Sequence, residues 1–142
     1  MVIAQLTNGF GNNIFQIIAS KLLSNFLEKE LLIVAPTPDY YAIRDIKSLG
    51  FTVERDYSNI HLSGESIRVN DSNYKLCYNK EFKKYNLIVS GYFEDYTYYK
   101  ENISLIKSWL PEIKKRSKND LVIHFRAGDR LFYRNEFHTK PS

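Results

Sequence analysis

A chain of 142 residues with 44% hydrophobic and 25% charged residues has room for one domain with its own core, and this composition is not that of a disordered protein. The formal net charge of +4 favours anionic partners such as nucleotides but is too small to predict nucleic-acid binding. The single cysteine, Cys77, excludes an internal disulfide and a multi-cysteine metal site, and we expect a free, half-buried thiol there.

The sequence shows neither of the usual signals for entering a membrane or being secreted. No apolar run approaches the roughly 18 residues that a spanning helix needs, and the first residues lack the basic start and small-residue cleavage site of a signal peptide. We therefore expect a cytoplasmic protein, with peripheral contact to a membrane surface left open.

The beginning of the chain predicts a strand, a long helix and a second strand. Residues 2–6 and 30–34 form apolar runs typical of buried strands, and the turn between the first strand and the helix contains two glycines. The apolar side of the helix is predicted to consist of Ile14, Phe15, Ile17, Ile18, Leu22, Phe26 and Leu27. The other side is predicted to carry Asn13, Gln16, Lys21, Asn25 and Glu28. This succession predicts a right-handed parallel crossover and the start of a doubly wound sheet.

The rest of the sequence continues the alternation of helices and strands. A short helix is predicted over residues 40–49, ended by Gly50, and further strands are predicted over residues 51–55, 66–69, 74–78 and 86–90, with turn residues at 70–73. A helix over residues 95–110 and a strand over residues 119–126 follow. The predicted fold class is α/β, a Rossmann-like parallel sheet with flanking helices.

The last predicted strand ends in a cluster of polar side chains. Leu121-Val122-Ile123 is apolar, and His124 and Arg126, two residues apart, are predicted to point to the same side, with Asp129 beyond Gly128. Ligands of open α/β sheets bind at the carboxyl ends of strands, and an arginine there suits a phosphate or diphosphate. A surface ion pair between arginine and aspartate explains the same residues without a ligand.

The turn before the first helix has the position of a phosphate-binding loop. Gly9 and Gly11 permit close backbone approach, and the helix amino end offers N–H groups and partial positive charge. Ile14 replaces the third glycine of G-x-G-x-x-G, so this is not a dinucleotide fingerprint, and the lysine of a P-loop is absent. The alternative is a structural glycine-rich turn with an asparagine cap.

Other candidate residues favour structural roles. Glu94 and Asp95 are predicted to cap a helix rather than to act as an acid and base pair, and Glu136 is predicted to be a solvated residue of the tail rather than a general base. The lone histidines His61 and His138 lack the spacing of metal ligands. Tyrosines 96, 98 and 99 could stack on a sugar or pack at the edge of a core.

Three segments in this order resemble the family 11 glycosyltransferases, the α-1,2-fucosyltransferases, which are relatives of the α-1,6- and protein O-fucosyltransferases. They are Gly9-Phe10-Gly11-Asn12, Gly91-Tyr92-Phe93-Glu94 and His124-Phe125-Arg126-Ala127-Gly128-Asp129. The likeness spans the chain from its first strand to Asp129, with nothing recognised over residues 40–84.

The resemblance implies a GT-B architecture of two Rossmann-like domains facing each other across a cleft. Residues 1–118 would form the N-terminal domain, and residues 119–142 the first strand and start of an incomplete nucleotide-sugar-binding domain. Because the family continues through its donor domain, the resemblance implies a truncated or split enzyme with weak or no activity alone. A second polypeptide could then complete the donor domain.

The resemblance also implies roles for particular residues. The family's H-x-R-x-G-D motif matches His124, Arg126, Gly128 and Asp129, and it implies that Arg126 holds the diphosphate of GDP-fucose while His124 braces it and Asp129 orients the site. The residues implied to approach the donor from the other side of the cleft are Gly9, Phe10, Gly11, Asn12 and Tyr92.

The reaction implied is transfer of fucose to a glycan hydroxyl with inversion, without a metal or other cofactor. Many family members have a second arginine at the position of Ala127, so the donor could differ from GDP-fucose. Two alternatives stay open: a non-catalytic remnant that binds a glycan or a partner protein, and a phosphate-binding α/β domain of another enzyme class. The second alternative predicts nucleotide binding without sugar preference.

Overall fold

The computed structural model describes residues 1–7, 9–54 and 60–111. The chain divides into two compact units, Met1–Pro111 and Glu112–Ser142. The second unit lies outside the described residues. It contains the predicted strand over residues 119–126 and the candidate residues His124, Arg126, Gly128, Asp129, Glu136 and His138.

The first unit is built on a four-stranded parallel sheet. Its strands are β1 (Val2–Gln5), β2 (Leu31–Val34), β3 (Ser66–Val69) and β4 (Asn86–Val89), in the order β2-β1-β4-β3. In the central pairs, Val2 lies opposite Leu31 on one side and Leu87 on the other. The α/β prediction and these four strands are confirmed, including the parallel crossover from β1 to β2.

In the described part of the chain, three α-helices accompany the sheet: α1 (Phe10–Leu27), α2 (Ile43–Ser48) and α3 (Ile103–Trp109). One hydrophobic cluster joins α1 to β4 through residues such as Leu23 and Leu87, and another joins α2 to β1 through residues such as Ile46 and Ala4. The side chains of β1 are 0% exposed from Val2 to Ala4, as in a parallel strand covered on both faces.

The strand predicted over residues 74–78 is wrong, because Tyr74–Cys77 is a 3-10 helix. The amide of Tyr74 donates to the carbonyl of Asn70, so the preceding turn continues directly into a helical turn. The buried residues of this segment, Tyr74 and Cys77, are three apart, which is the 3-10 repeat and not the alternation of a strand. Cys77 is 1% exposed rather than half-buried, and burial raises the pKa of its thiol, which disfavours the reactive thiolate.

Three other predicted elements are shorter than expected, and the helix predicted over residues 40–49 spans only Ile43–Ser48. Of the strand predicted over residues 51–55, the described part contributes a single bridge between Glu54 and Val34. The helix predicted over residues 95–110 is two 3-10 turns, Tyr96–Tyr98 and Lys100–Asn102, followed by α3. Asp95 begins the first of these turns by accepting a hydrogen bond from the Thr97 amide at 2.8 Å, so the capping prediction for Asp95 is confirmed.

Buried tyrosines make the fold sensitive to alkaline pH. Tyr74 donates to the Ala19 carbonyl at 2.9 Å and Tyr99 to the Phe93 carbonyl, and burial raises the pKa of both hydroxyls above the usual range. A raised pKa in the folded state contributes stability below the unfolded value of about 10, which is lost as pH rises past it.

We therefore expect the melting temperature to be nearly independent of tyrosine ionisation up to about pH 10 and to fall steadily above it. Thermal denaturation between about pH 8 and pH 12 measures this. The Tyr74→Phe variant should show a shallower alkaline decline than the unaltered chain. A decline of equal slope in both proteins would contradict the role of Tyr74.

Candidate functional site at the carboxyl edge of the sheet

The strand order creates a topological switch point between β1 and β4. The chain runs from β1 to β2 on one side of the sheet, whereas β4 pairs with β1 on the other side. In open parallel sheets, ligands bind where the carboxyl ends of such neighbouring strands diverge. The turns that follow β1 and β4 carry two of the three motifs singled out in the sequence, at residues 9–12 and 91–94. We use the name carboxyl-edge site for these two connecting turns together with the first two helical turns of α1.

Gln16 connects the two turns. Its side chain is 0% exposed, and its Nε2 donates to the Thr7 hydroxyl and to the Gly91 carbonyl, both at 2.7 Å. Its Oε1 accepts from the Thr7 amide and from Asn13 Nδ2, both at 3.1 Å. Since all its donors and acceptors are used within the protein, Gln16 acts as a fixed link between the ends of β1 and β4.

Asn13 extends this link toward the chain segment that follows β2. It is also 0% exposed, and its Nδ2 donates to the Thr7 carbonyl at 2.7 Å while its Oδ1 accepts from the Tyr40 hydroxyl at 2.8 Å. Burial raises the pKa of Tyr40 to about 12, so its hydroxyl keeps its proton at neutral pH and remains a donor. Asn13 and Gln16 together form what we call the buried amide pair.

The turn after β4 is held by a carboxylate. Asp71 accepts from the backbone amides of Tyr92 at 2.9 Å and Phe93 at 2.7 Å, and the carbonyl of Phe93 accepts from Tyr99. Phe93 has a φ of 53°, a left-handed conformation that costs energy for a residue with a side chain, so these bonds fix a strained turn. A Cβ on Gly91 would lie 2.6 Å from Asp71 Oδ2, so the turn requires glycine.

The amino end of α1 is open at the glycine turn. The N-cap residue is Gly9, so the expectation of an asparagine cap is wrong. Gly9 and Gly11 are both exposed, and a Cβ on Gly11 would meet no atom within 4 Å. Backbone and partial positive charge are thus accessible to a small anionic group at the start of an 18-residue helix.

The structure brings the described members of the predicted site to one edge. Gly9, Phe10, Gly11 and Asn12 begin α1, and Tyr92 lies on the turn that Gln16 joins to it. Phe10 is 36% exposed and Tyr92 54% exposed, so both rings are available at the surface. Glu94 is exposed as well. The members of the third motif lie outside the described residues.

The helical pattern of the sequence places Asn13 and Gln16 on the solvent side of α1, and that prediction is wrong because both side chains are 0% exposed. It also places Phe15 on the buried side, whereas Phe15 is 38% exposed. A signal was present, because Asn13 and Gln16 share a helical face with Ile17 and Ser20 at spacings of three, four and seven residues. Two amides on an otherwise buried face indicate backbone groups nearby that need partners.

No family model, curated protein or solved structure matches the chain. Within residues 1–7, 9–54 and 60–111, no helix has the length and apolarity to cross a membrane. The same residues contain no group of three or more histidine, cysteine, aspartate or glutamate side chains arranged to hold a metal ion.

Proposed function

We propose that this chain supplies the N-terminal Rossmann-like domain of a GT-B glycosyltransferase that transfers fucose from GDP-fucose to a glycan hydroxyl with inversion. The observation that carries the proposal is the meeting of two motif-bearing turns at the switch point of a parallel sheet, where Gln16 joins them at 2.7 Å. Three sequence motifs in the family's order could match by chance. A chance match would not by itself place two of these motifs side by side in the fold, so their adjacency supports the proposal.

In this proposal the carboxyl-edge site faces the sugar diphosphate of the donor. Gly9 and Gly11 let the donor approach the amino end of α1, whose partial positive charge stabilises a negatively charged diphosphate. Phe10 and Tyr92 offer exposed rings beside it. The buried amide pair holds both turns before the ligand arrives, so little ordering is required on binding.

The third motif supplies the charge chemistry in this proposal. Arg126 donates paired hydrogen bonds to the diphosphate and stabilises the negative charge that develops on the leaving GDP. His124 braces Arg126, and Asp129, after Gly128, orients the group. An acceptor hydroxyl attacks the anomeric carbon opposite the leaving group, which inverts the configuration, and a base can assist by taking the hydroxyl proton.

Isothermal titration calorimetry with GDP-fucose, GDP and UDP tests the proposal. We expect GDP-fucose to bind more tightly than GDP or UDP, because the carboxyl-edge site faces the sugar diphosphate, and Arg126→Ala to weaken GDP-fucose binding by about tenfold or more through loss of charge-assisted hydrogen bonds. Arg134→Ala is the matched control and should bind like the unaltered chain.

Two results would overturn parts of the proposal. Equal affinity for GDP-fucose, GDP and UDP, without any contribution from the sugar, would indicate a phosphate-binding domain of another enzyme class. Unchanged GDP-fucose binding, hydrolysis or transfer in Arg126→Ala would remove the role assigned to that arginine.

A further inference from the structure

A cavity lies near the opposite end of α1 from the glycine turn. Its volume is about 550 Å³, and it is bounded by the last turns of α1, by the 3-10 helix Tyr74–Cys77 and by the segment that leads into α3. Asn25, on its wall, lies about 18 Å along the helix axis from Asn13. The volume falls in the range of ligand-binding cavities. The cavity adjoins the carboxyl-edge site on one side, because the Tyr98 hydroxyl on its wall donates to the carbonyl of Asp71 at 3.1 Å.

Aromatic side chains form much of the cavity wall. Phe26 and Tyr78 lie with their ring centres 5.1 Å apart, and Tyr98 packs against Tyr74 at 4.7 Å. Phe26, Tyr78 and Tyr98 are only partly buried. The ammonium group of Lys80 lies 4.9 Å from the centre of the Phe26 ring, so a ligand that stacks on Phe26 must approach its other face or displace that lysine. The negative face of an aromatic ring attracts the C–H groups of a sugar ring, which are slightly positive.

Polar side chains accompany the rings. Asn25 and Asn102 each offer both donors and an acceptor, and Glu101 offers a carboxylate. The Tyr74 hydroxyl donates its proton to the Ala19 carbonyl at 2.9 Å, and its oxygen lies 2.7 Å from the Tyr78 hydroxyl oxygen. Tyr78 must therefore donate to Tyr74, and the lone pairs of its hydroxyl oxygen remain available as an acceptor. Hydroxyl groups of a ligand, which both donate and accept, match this mixture of groups.

The charges on the wall balance. Among its described residues Lys75 and Glu101 are ionised, and Lys75 Nζ already lies 3.8 Å from the Asp95 carboxylate and 5.3 Å from the centre of the Tyr98 ring. An anionic ligand would therefore find no uncompensated cation on the described wall, and a purely apolar ligand would leave amides and a carboxylate without partners.

We propose that this cavity, which we call the distal cavity, binds a neutral oligosaccharide by stacking on its tyrosine and phenylalanine rings and hydrogen bonding to Asn25, Glu101 and Asn102. The proposal goes beyond glycosyl transfer at the carboxyl edge and does not depend on it. A chain with both sites would hold a remote part of a long glycan while another part lies at the carboxyl edge.

The test is a titration of the full chain with lactose, cellobiose and N,N′-diacetylchitobiose, followed by amide chemical shifts in two-dimensional NMR. We expect at least one of these sugars to shift the amides of residues 25–26, 74–78 and 97–102 while glucuronate and indole do not. Asn25→Leu and Glu101→Gln should each weaken that binding by about tenfold, whereas the matched control Glu81→Gln should leave it unchanged. Melting temperatures of the three variants report whether each is folded.

Three outcomes would overturn the inference: no shift with any of the sugars, shifts confined to residues 9–16 and 91–93, or stronger binding of glucuronate or indole. The test is independent of glycosyl transfer. If the chain binds a sugar at the distal cavity but does not bind GDP-fucose, this inference stands and the proposed function falls. If the chain binds GDP-fucose but no sugar at the distal cavity, the proposed function stands and this inference falls.

Discussion

Replacement of Gln16 by leucine is expected to lower the free energy of unfolding by about 3 kcal/mol. Leucine has a similar volume but cannot hydrogen bond, so the Thr7 amide, the Gly91 carbonyl and one Asn13 donor would lose a partner at a 0% exposed position. Each buried polar group left unpaired costs about 1–3 kcal/mol, and the partial replacement of some bonds by water limits the total. Chemical denaturation measures the change.

Asn25→Leu is the matched control for this substitution. Asn25 lies on the same helix but its side chain is exposed, so the change should alter stability by no more than about 0.5 kcal/mol. Equal losses in the two variants would contradict the role of Gln16 as a link between the turns. The Gln16→Leu variant should in addition lose GDP-fucose binding at temperatures where it is still folded, because the two turns are no longer held together.

Gly91→Ala is expected to destabilise the chain by about 1–3 kcal/mol, as overpacking of a tight site does. The new methyl group would lie 2.6 Å from Asp71 Oδ2 and 3.0 Å from the Phe93 ring. Asp71 cannot move aside without giving up its bonds to the amides of Tyr92 and Phe93. Thermal denaturation and the amide shifts of residues 92 and 93 measure the effect.

Gly11→Ala provides the comparison. Gly11 is helical and its Cβ would meet no atom within 4 Å, so alanine should stabilise α1 slightly, by up to about 1 kcal/mol. Opposite signs for the two glycine substitutions are the expected result. A stabilising Gly91→Ala would show that the turn after β4 is looser than its hydrogen bonds indicate.

The sheet could be predicted because its physical signal is local. The runs over residues 2–4, 31–34 and 87–89 are apolar throughout, which is typical of parallel strands buried on both faces. The 3-10 helix Tyr74–Cys77 could not be predicted from its alternating pattern, because its buried tyrosine is fixed by the Ala19 carbonyl, far away in sequence. The helical conformation of this segment therefore depends on a tertiary hydrogen bond, which the local sequence pattern does not show.

The candidate site could be predicted in part for the same reason. Glycines after a strand indicate an open turn from the sequence alone, and the strand order then places the two motif-bearing turns side by side. The buried amide pair depends on a hydrogen bond from Gln16 to Gly91, which is distant in sequence, and helical periodicity cannot show a partner of that kind. Polar residues on a helix are assigned to solvent unless their tertiary partners are known.

The most direct test of the central claim is an NMR titration of the chain with GDP-fucose, with GDP and UDP as competitors. The claim is that the turns after β1 and β4 form one site for a sugar nucleotide. We expect GDP-fucose to shift the amides of residues 9–13 and 91–93 together, with a single binding constant, and we expect this response to disappear in Gln16→Leu. GDP-fucose that shifts neither turn, or only one of them, would contradict the claim.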